Sequence, residues 1–283
     1  MSNQRSIDIL LATYNGQAYL GEQIDSILAQ SNQDWRLIIR DDASDDDTLS
    51  IVNDYVSRYS DRITLIEDSE GRLGASLNFQ RLLEESSAEY IMFCDQDDVW
   101  LPGKIAITLD LMKTTEQEYP GVPVLVHTDL TVVDSKLKTI AQSTWRYQGT
   151  VPETANDVDK VLHQNVATGC TMMINEKAKM VSTPIPPEAV MHDWWIVINV
   201  AKHGRVAHVP QQLVLYRQHS NNAVGAVKAP RIRTCIWAGL KNKFSLPTRI
   251  MNHYRMVRQH DPNAAFLPTV LKKIASKLRQ RRR

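Results

Sequence analysis

The chain has 283 residues, of which 43% are hydrophobic and 23% charged, and its formal net charge at pH 7 is +1. These values are typical of a globular protein and exclude a chain that is disordered or collagen-like as a whole. No apolar run approaches the roughly 18 to 20 residues that cross a bilayer, and the N-terminus lacks the basic and apolar regions of a secretory signal. The three cysteines, Cys94, Cys170 and Cys235, show no paired or metal-type spacing, which is typical of a reducing cytoplasm.

The near-neutral total hides two regions of opposite charge. Residues 228–283 carry 15 Lys and Arg and a single acid, Asp261, which gives +14, whereas residues 1–227 carry −13. This asymmetry indicates an acidic catalytic body and a basic tail that contacts a polyanion. We therefore predict two parts, a catalytic domain over 1–227 and a basic C-terminal tail over 228–283.

The first hundred residues alternate strand and helix patterns. Apolar runs predict strands over 7–13, 35–40, 63–66 and 90–94, and helical spacing predicts a helix after each of the first three. Strands separated by helices of this length indicate βαβ units. We expect an α/β fold with a parallel sheet covered by helices on both faces.

The later elements are less regular. The sequence predicts a helix from 103 to about 119, strands over 124–133 and 169–174, a helix opening at 192, and paired strands over 206–209 and 213–216. Arg217 and the glycine-containing stretch 221–225 then suggest a flexible loop that faces phosphate and closes over a ligand.

Polar side chains follow three of the predicted strands at the point where each strand ends. They are Thr13-Tyr14-Asn15, Asp41-Asp42 and the run from Asp95 to Asp98. Open α/β sheets bind ligands in the crevice outside the carboxyl ends of their strands. We expect these three segments to line one pocket.

Asp95-Gln96-Asp97 is the strongest chemical signal in the chain. Carboxylates two positions apart project to the same side of an extended segment, so both can meet one hard cation such as Mg²⁺ or Mn²⁺. An isolated pair of this kind is more often a solvated turn. The buried strand before it, Val99-Trp100 after it and the second acidic loop favour the metal interpretation.

Four motifs occur in an order and at spacings that resemble family 2 glycosyltransferases with the GT-A fold. They are Ala12-Thr13-Tyr14-Asn15-Gly16, the run from Arg40 to Thr48, the run from Asp95 to Trp100, and His192-Asp193-Trp194-Trp195. The resemblance covers about 7–226. It implies a Rossmann-like, mainly parallel sheet flanked by helices, and an inverting, metal-dependent sugar transfer from a nucleotide-diphosphate donor. The composition of residues 228–283, which lie outside the resemblance, adds the expectation of a basic helical C-terminal extension.

The resemblance also implies roles for individual donor-side residues. Thr13, Tyr14 and Asn15 would line the nucleotide pocket, and Asp42 would accept a hydrogen bond from a pyrimidine imide. Asp95 would lie near the ribose and Asp97 would bind the metal. Arg72 lies where the family often has a donor-contacting basic residue, although an ordinary loop arginine remains an equal alternative.

Two later residues complete the predicted site. By resemblance, Asp193 is the catalytic base that takes the proton of the acceptor hydroxyl, whereas its spacing alone favours a cap for a helix beginning at Trp194. His219 would complete the shell of Mn²⁺ or Mg²⁺ or touch a donor phosphate, and a structural or exposed histidine is the alternative. Trp194 and Trp195 are expected to be core residues, with sugar stacking as the minor alternative.

The stretch from Met191 to Ala226 resembles bacterial rhamnosyltransferases that build O-antigen and other surface polysaccharides. This implies dTDP-L-rhamnose as donor and a polyprenyl-diphosphate-linked glycan as acceptor. A UDP-hexose-dependent transferase and a non-catalytic nucleotide-sugar-binding scaffold remain alternatives. A nucleotidyltransferase is disfavoured, because the loop after the first strand, from Thr13 to Gln17, has no lysine or arginine.

In the basic tail, aromatic and aliphatic residues are interleaved with lysine and arginine, as in Ile236 to Arg249 and Phe266 to Arg283. This pattern is typical of a helix that lies on an anionic membrane leaflet. We expect a cytoplasmic protein, peripheral on the inner face of the bacterial cell membrane. A solvated tail and nucleic-acid binding are the second and third alternatives, and no nucleic-acid-binding motif accompanies the tail.

Overall fold

The structure is a computed structural model that describes residues 5–220, 222, 246–266, 268–269 and 272, with 246–250 described by backbone alone. The strands are β1 Ile7–Thr13, β2 Trp35–Asp41, β3 Ile63–Leu65, β4 Tyr90–Asp95, β5 Val99–Trp100, β6 Val124–Asp134, β7 Thr139–Ala141, β8 Met172–Asn175 and β9 Arg205–Gln218. The α-helices are α1 Leu20–Leu28, α2 Thr48–Arg58, α3 Ala75–Glu85, α4 Lys104–Glu118, α5 Thr144–Gln148, α6 Val158–Val161, α7 Glu176–Ser182, α8 His192–His203 and α9 Leu246–His260.

The first half of the sheet is parallel, as the alternating pattern predicts. Strands lie in the order β3-β2-β1-β4, and each pair is parallel. β1 is buried on both faces: Ile9 packs in the cluster that includes α1 and Leu10 in the cluster that includes α3 and α8. Helices therefore cover both sides of this half, which explains why its strands are continuous apolar runs.

The second half of the sheet is mixed. β8 joins β4 to β6 through antiparallel pairings, and β6 then pairs parallel with β9. The prediction of two paired strands over 206–209 and 213–216 is wrong, because β9 is one continuous strand. Its register against β6 shifts near Asp129, so the break in the apolar pattern is an irregularity within a strand rather than a turn.

Helix α9 lies within the segment predicted as the basic tail, and it packs in the core cluster that includes α3 and α8. Met256 and Val257 are buried among the residues of the α3 and α8 cluster. The ring of His253 stacks on Trp194, with centroids 5.0 Å apart. The opposite face, which includes Arg255 and Arg258, is exposed. The predicted division at 227/228 stays a prediction.

Most of the remaining tail and the predicted phosphate loop lie outside the described residues, namely 221, 223–245, 267, 270–271 and 273–283. Across the described ranges, no helix combines the length and the hydrophobicity that a membrane crossing needs.

Candidate active site

The sheet brings the three predicted polar segments together at one edge. β1 lies between β2 and β4, and the register sets Thr13 opposite Asp41 and Ala12 opposite Asp95. The carboxyl ends of these strands therefore meet, as expected from a parallel sheet.

Side-chain hydrogen bonds tie the loop after β1 to the loop after β2. Asn15 has a positive φ of 48°, its backbone N–H donates to Ser44 Oγ at 2.9 Å, and its side-chain oxygen accepts from the N–H of Asp45 at 2.9 Å. Thr13 is buried and its hydroxyl donates to Asp41 Oδ1 at 2.8 Å. The buried Thr13 thus stabilises the loop after β1, whereas Asn15 in the same loop is exposed.

Asp42 anchors the segment that follows β3. Its two carboxylate oxygens accept the backbone N–H groups of Leu73 and Gly74 at 2.7 and 2.8 Å. The guanidinium of Arg40, which is 1% exposed, lies 3.2 Å from the same carboxylate and pairs with Asp68 through two bonds of 2.8 and 3.0 Å. Hydrogen bonding to Arg40 lowers the pKa of Asp68. Whether Asp42 also contacts a base stays a prediction.

Sequence reasoning missed the role of Arg40. The signal was an arginine inside an otherwise apolar strand, because a charged side chain in that setting needs a buried partner. Its further contacts, with the side chain of Asn78 and the carbonyl of Gly71, fill the guanidinium's remaining donor positions.

Arg72 extends from this anchored segment towards the loop after β1. Its guanidinium carbon lies 4.0 Å from the centroid of the Tyr14 ring, which is within cation–π range. The side chain is exposed, so its charge remains accessible next to Tyr14. Arg72 and Tyr14, both predicted to contact the donor, are therefore in contact with each other.

The carboxylates of Asp95, Asp97 and Asp98 lie close together at the end of β4 and just after it. Burial and the negative charges of Asp97 and Asp193 raise the pKa of Asp95 to about 7. Burial and the charges of Asp97 and Asp95 raise the pKa of Asp98 well above its usual value. Ligand atoms of Asp95, Asp98 and Cys170 lie within 4.8 Å of one another. Such a concentration of negative charge is what a divalent cation would relieve.

The two residues predicted as metal ligands are in direct contact. His219 Nε2 lies 2.7 Å from Asp97 Oδ2, and Asn222 donates to the same oxygen at 3.1 Å. Two ligand atoms at about 2.1 Å from one cation, at right angles, are about 3 Å apart. The spacing of Asp97 and His219 is therefore close to that of two ligands of one cation, and the Asp97 carboxylate is of the ligand type that Mn²⁺ and Mg²⁺ prefer.

The prediction that Arg217 faces phosphate is wrong. Arg217 is 2% exposed, and its guanidinium donates to the carbonyls of Asp97 and Ser135 and to the carboxylate of Glu22. Its backbone N–H donates to Asp98 Oδ1 at 3.0 Å. Arg217 is thus an internal anchor that joins the end of β9 to the acidic loop, two residues before His219.

Asp193 lies in the first turn of α8 and is 8% exposed. Its Oδ2 accepts the backbone N–H of Gly169 at 3.0 Å, and Oδ1 accepts that of Trp194. Burial raises the pKa of Asp193 to about 6, although these hydrogen bonds limit the rise. The helix begins at His192, two residues earlier than the capping alternative requires, with Met191 as its N-cap. A carboxylate with this pKa can accept a proton near neutral pH.

The neighbours of Asp193 are packing residues. His192 lies between Phe79 and Phe93, with ring centroids 4.0 and 5.4 Å away, and burial lowers its pKa to about 3. Trp194 donates its indole N–H to the carbonyl of Val161 at 2.6 Å, and Trp195 donates to that of Ser182 at 2.8 Å. Both tryptophans are therefore held in the fold, as the core interpretation expects.

Comparison with known proteins agrees with this architecture. The family described as Glycosyl transferase family 2 matches residues 8–179. The dTDP-rhamnosyl transferase RfbG of Shigella flexneri is 27% identical over 227 residues, which covers 76% of this chain and 74% of that protein.

Two solved structures show the same fold. S. aureus TarS 1-349 in complex with UDP-GlcNAc aligns with a TM-score of 0.61 at 15% identity, covering 98% of this chain and 90% of that one. The mannosyltransferase PcManGT from Pyrobaculum calidifontis, in complex with GDP-Man and Mn²⁺, aligns with a TM-score of 0.57 at 14% identity, covering 97% and 69%. The matched family and the shared fold together make this chain a glycosyltransferase of family 2, with the GT-A fold.

Proposed function

We propose that the chain is an inverting, metal-dependent transferase that moves a sugar from a nucleotide-diphosphate donor to an acceptor hydroxyl. The proposal rests above all on the position of Asp95. Its carboxyl is close enough to both Asp97 and Asp193 that the charges of both raise its pKa. The predicted cation ligand and the predicted base therefore share one electrostatic environment.

In the proposed reaction, Asp193 accepts the proton of the acceptor hydroxyl while the hydroxyl oxygen bonds to the anomeric carbon. The bond from that carbon to the diphosphate oxygen breaks, and the nucleoside diphosphate leaves from the opposite face. The backbone N–H groups of Gly169 and Trp194 donate hydrogen bonds to the Asp193 carboxylate and hold it in one orientation. A cation held by Asp97 and His219 would supply charge stabilisation for the leaving diphosphate.

The donor nucleotide is proposed to lie between the loop after β1 and the segment anchored by Asp42. Tyr14 and Arg72 form a ring and cation pair at 4.0 Å on this side, and Asn15 is exposed next to them. The pair offers a flat surface for a base and a positive charge for phosphate. Asp95 ends β4 beside β1, and its carboxyl is close enough to Asp193 to be affected by that charge. A ribose or sugar hydroxyl is proposed to lie next to it.

The preferred donor is dTDP-L-rhamnose and the preferred acceptor is a polyprenyl-diphosphate-linked glycan of a bacterial surface polysaccharide such as O-antigen. Similarity to the dTDP-rhamnosyl transferase RfbG supports this choice. A UDP-hexose donor is the alternative within the family, and a structural neighbour complexed with the UDP-sugar UDP-GlcNAc supports it. An enzyme distinguishes such sugars through a few contacts with their hydroxyl groups.

A peripheral position on the inner face of the cytoplasmic membrane would bring such an acceptor to the site. The +14 charge of residues 228–283 supports attraction to anionic lipid. Two of these charges, Arg255 and Arg258, lie on the exposed face of α9 beside Met251, which is 40% exposed. Nucleic acid is not the proposed partner.

Transfer assays with the purified full chain test the proposal. A panel of nucleotide sugars with a lipid-linked glycan acceptor is incubated with and without Mn²⁺, and products are identified by mass spectrometry. Asp97→Ala and Asp193→Ala should each abolish product, whereas Asp54→Ala, which removes an exposed carboxylate of α2, should not. Near-normal turnover in both site variants would overturn the assignment.

A non-catalytic donor-binding scaffold is the second candidate. It would bind a nucleotide sugar saturably and give no product with any acceptor. The raised pKa of Asp193 favours the enzyme, because a scaffold has no need of a buried carboxylate that ionises near pH 6.

A further inference from the structure

Gln96, the middle residue of Asp95-Gln96-Asp97, makes a reciprocal pair of hydrogen bonds with one peptide of the loop after β1. Its Oε1 accepts the backbone N–H of Tyr14 at 2.8 Å, and its Nε2 donates to the carbonyl of Tyr14 at 2.8 Å. Both bonds have short, regular lengths. The side chain therefore joins two loops that are 82 positions apart in the chain.

The loop after β1 leaves a space for this carboxamide at Gly16. A Cβ added at Gly16 would lie 2.2 Å from Gln96 Oε1 and 2.6 Å from its Cδ. Any other residue at position 16 would therefore displace the amide or the loop. The backbone N–H of Gly16 donates to Thr48 Oγ1 at 2.8 Å, which fixes the loop from its other side.

The chemistry of the pair is specific to an amide. Gln offers one acceptor and one donor, which match the N–H and the carbonyl of a single residue. Glutamate has the same shape but, when ionised, can only accept, and leucine can do neither. No other common side chain of this length reproduces both bonds.

The position of the pair suggests what it does. At one end, the Gln96 side chain binds the peptide of Tyr14, and the guanidinium carbon of Arg72 lies 4.0 Å from the centroid of the Tyr14 ring. On the other side the next residue is Asp97, whose carboxylate contacts His219 at 2.7 Å. A shift of this peptide pair would move the proposed nucleotide pocket and the proposed cation site together.

We propose that Gln96 is a positioning residue that couples nucleoside binding at the loop after β1 to cation binding at Asp97. The inference rests on the proposed function, which assigns those two ligands to these loops. A ligand at either site holds one of the two loops, and the Gln96–Tyr14 hydrogen bonds pass this restraint to the other loop, so the other ligand then binds to a loop held in position. Coupling between binding sites is reciprocal, so each ligand should raise the affinity for the other by the same factor.

The test measures Mn²⁺ affinity by titration calorimetry with and without saturating thymidine or uridine. A nucleoside has no diphosphate to touch the cation, so any coupling passes through the protein. In the wild-type chain we expect the nucleoside to raise Mn²⁺ affinity by about fivefold or more. Gln96→Leu and Gln96→Glu should both reduce this factor to near one.

Two further variants keep the result interpretable. Gly16→Ala leaves Gln96 in the chain but occupies its space, and should also abolish coupling. Gln33→Leu removes a hydrogen-bonding glutamine at the opposite ends of the strands, where Gln33 contacts Leu28 and Arg62, and should keep the wild-type factor. Thermal unfolding of each variant checks that the fold is intact.

Unchanged coupling in both Gln96 variants would overturn the inference, as would a wild-type chain that binds both ligands without any coupling. A wild-type chain that binds neither Mn²⁺ nor any nucleoside or nucleotide would instead count against the proposed function. The two failures are therefore distinguishable.

Discussion

Asp193 and Gly169 are joined by a hydrogen bond of 3.0 Å from the backbone N–H of Gly169 to the carboxylate. Gly169 begins the short 3-10 turn that leads into β8, and β8 pairs with β4. The acidic residue on α8 is thus fixed to the same part of the sheet that carries Asp95.

This bond leads to a prediction for Gly169→Ala. The added Cβ would lie 2.9 Å from His192 Nε2, and His192 cannot easily yield because Phe79 and Phe93 enclose its ring. We expect kcat to fall about 10- to 100-fold with donor KM nearly unchanged, since the base would be misplaced. Gly169→Ala combined with His192→Ala should recover part of the loss. An unchanged kcat in the single variant would show that the bond does not position Asp193.

The pH dependence of the reaction should have an acidic limb near pH 6. Burial raises the pKa of Asp193 to about 6, so below that pH the carboxyl is protonated and cannot accept the acceptor's proton. Activity should therefore rise with pH through this region and fall about tenfold per unit below it. The measurement is kcat/KM for the acceptor against pH at saturating Mn²⁺. A limb near pH 4, the ordinary range of a carboxyl, would argue against Asp193 as the base.

Removal of the imidazole at position 219 should weaken cation binding. His219→Ala removes one of two ligand candidates that lie 2.7 Å apart, and we expect Mn²⁺ affinity to fall by more than about tenfold. His203→Ala, which removes an exposed histidine at the end of α8, is the matched control. Calorimetric titration of each metal-free variant with Mn²⁺ gives the two affinities. Equal affinity in the two variants would exclude His219 as a ligand.

Arg40 should contribute more to stability than an exposed arginine. Arg40→Met leaves Asp42 and Asp68 without their buried cation, and loss of a buried partner costs about 3–5 kcal/mol. Arg58→Met breaks only the exposed pair with Asp54, for which we expect less than about 1 kcal/mol. Urea unfolding monitored by fluorescence compares the two. Similar unfolding midpoints would show that the Arg40 network is not important for folding.

The exposed charges of α9 should contribute to lipid binding. Arg255→Gln and Arg258→Gln remove two basic side chains without touching the buried face of the helix. Each should lower partitioning onto anionic vesicles about fivefold at low salt, with no change for uncharged vesicles. Co-sedimentation measures the partition coefficients. Equal sedimentation of variant and wild type on anionic vesicles would leave the membrane proposal without support from this helix.

The parallel half of the sheet could be predicted because its central strands, β1 and β4, are buried along almost their whole length. Such strands are continuous apolar runs, and their polar ends mark where the loops meet. Asp97 and His219, 122 positions apart, are in contact, and their role as cation ligands stays a prediction.

The mixed half of the sheet is harder to predict, because the sequence patterns there fit more than one structure. The register shift near Asp129 interrupts the pattern of β9 in the same way as a turn would. Arg217 looks like a free phosphate-binding residue in the sequence, and only its contacts in the fold, such as that with the carbonyl of Asp97, identify it as an anchor. Such long-range partners cannot be obtained from spacing.

The indole of Trp194, next to the proposed base, has a partner from the far end of the chain. His253 lies over it, and Met256 and Val257 complete the cover. A truncation after residue 227 would strip this cover and expose an apolar ring to water, so any loss of activity would mix damage to α8 with loss of lipid contact. Helix α9 therefore packs in one core with α8, and we expect a minimal active fragment to need it.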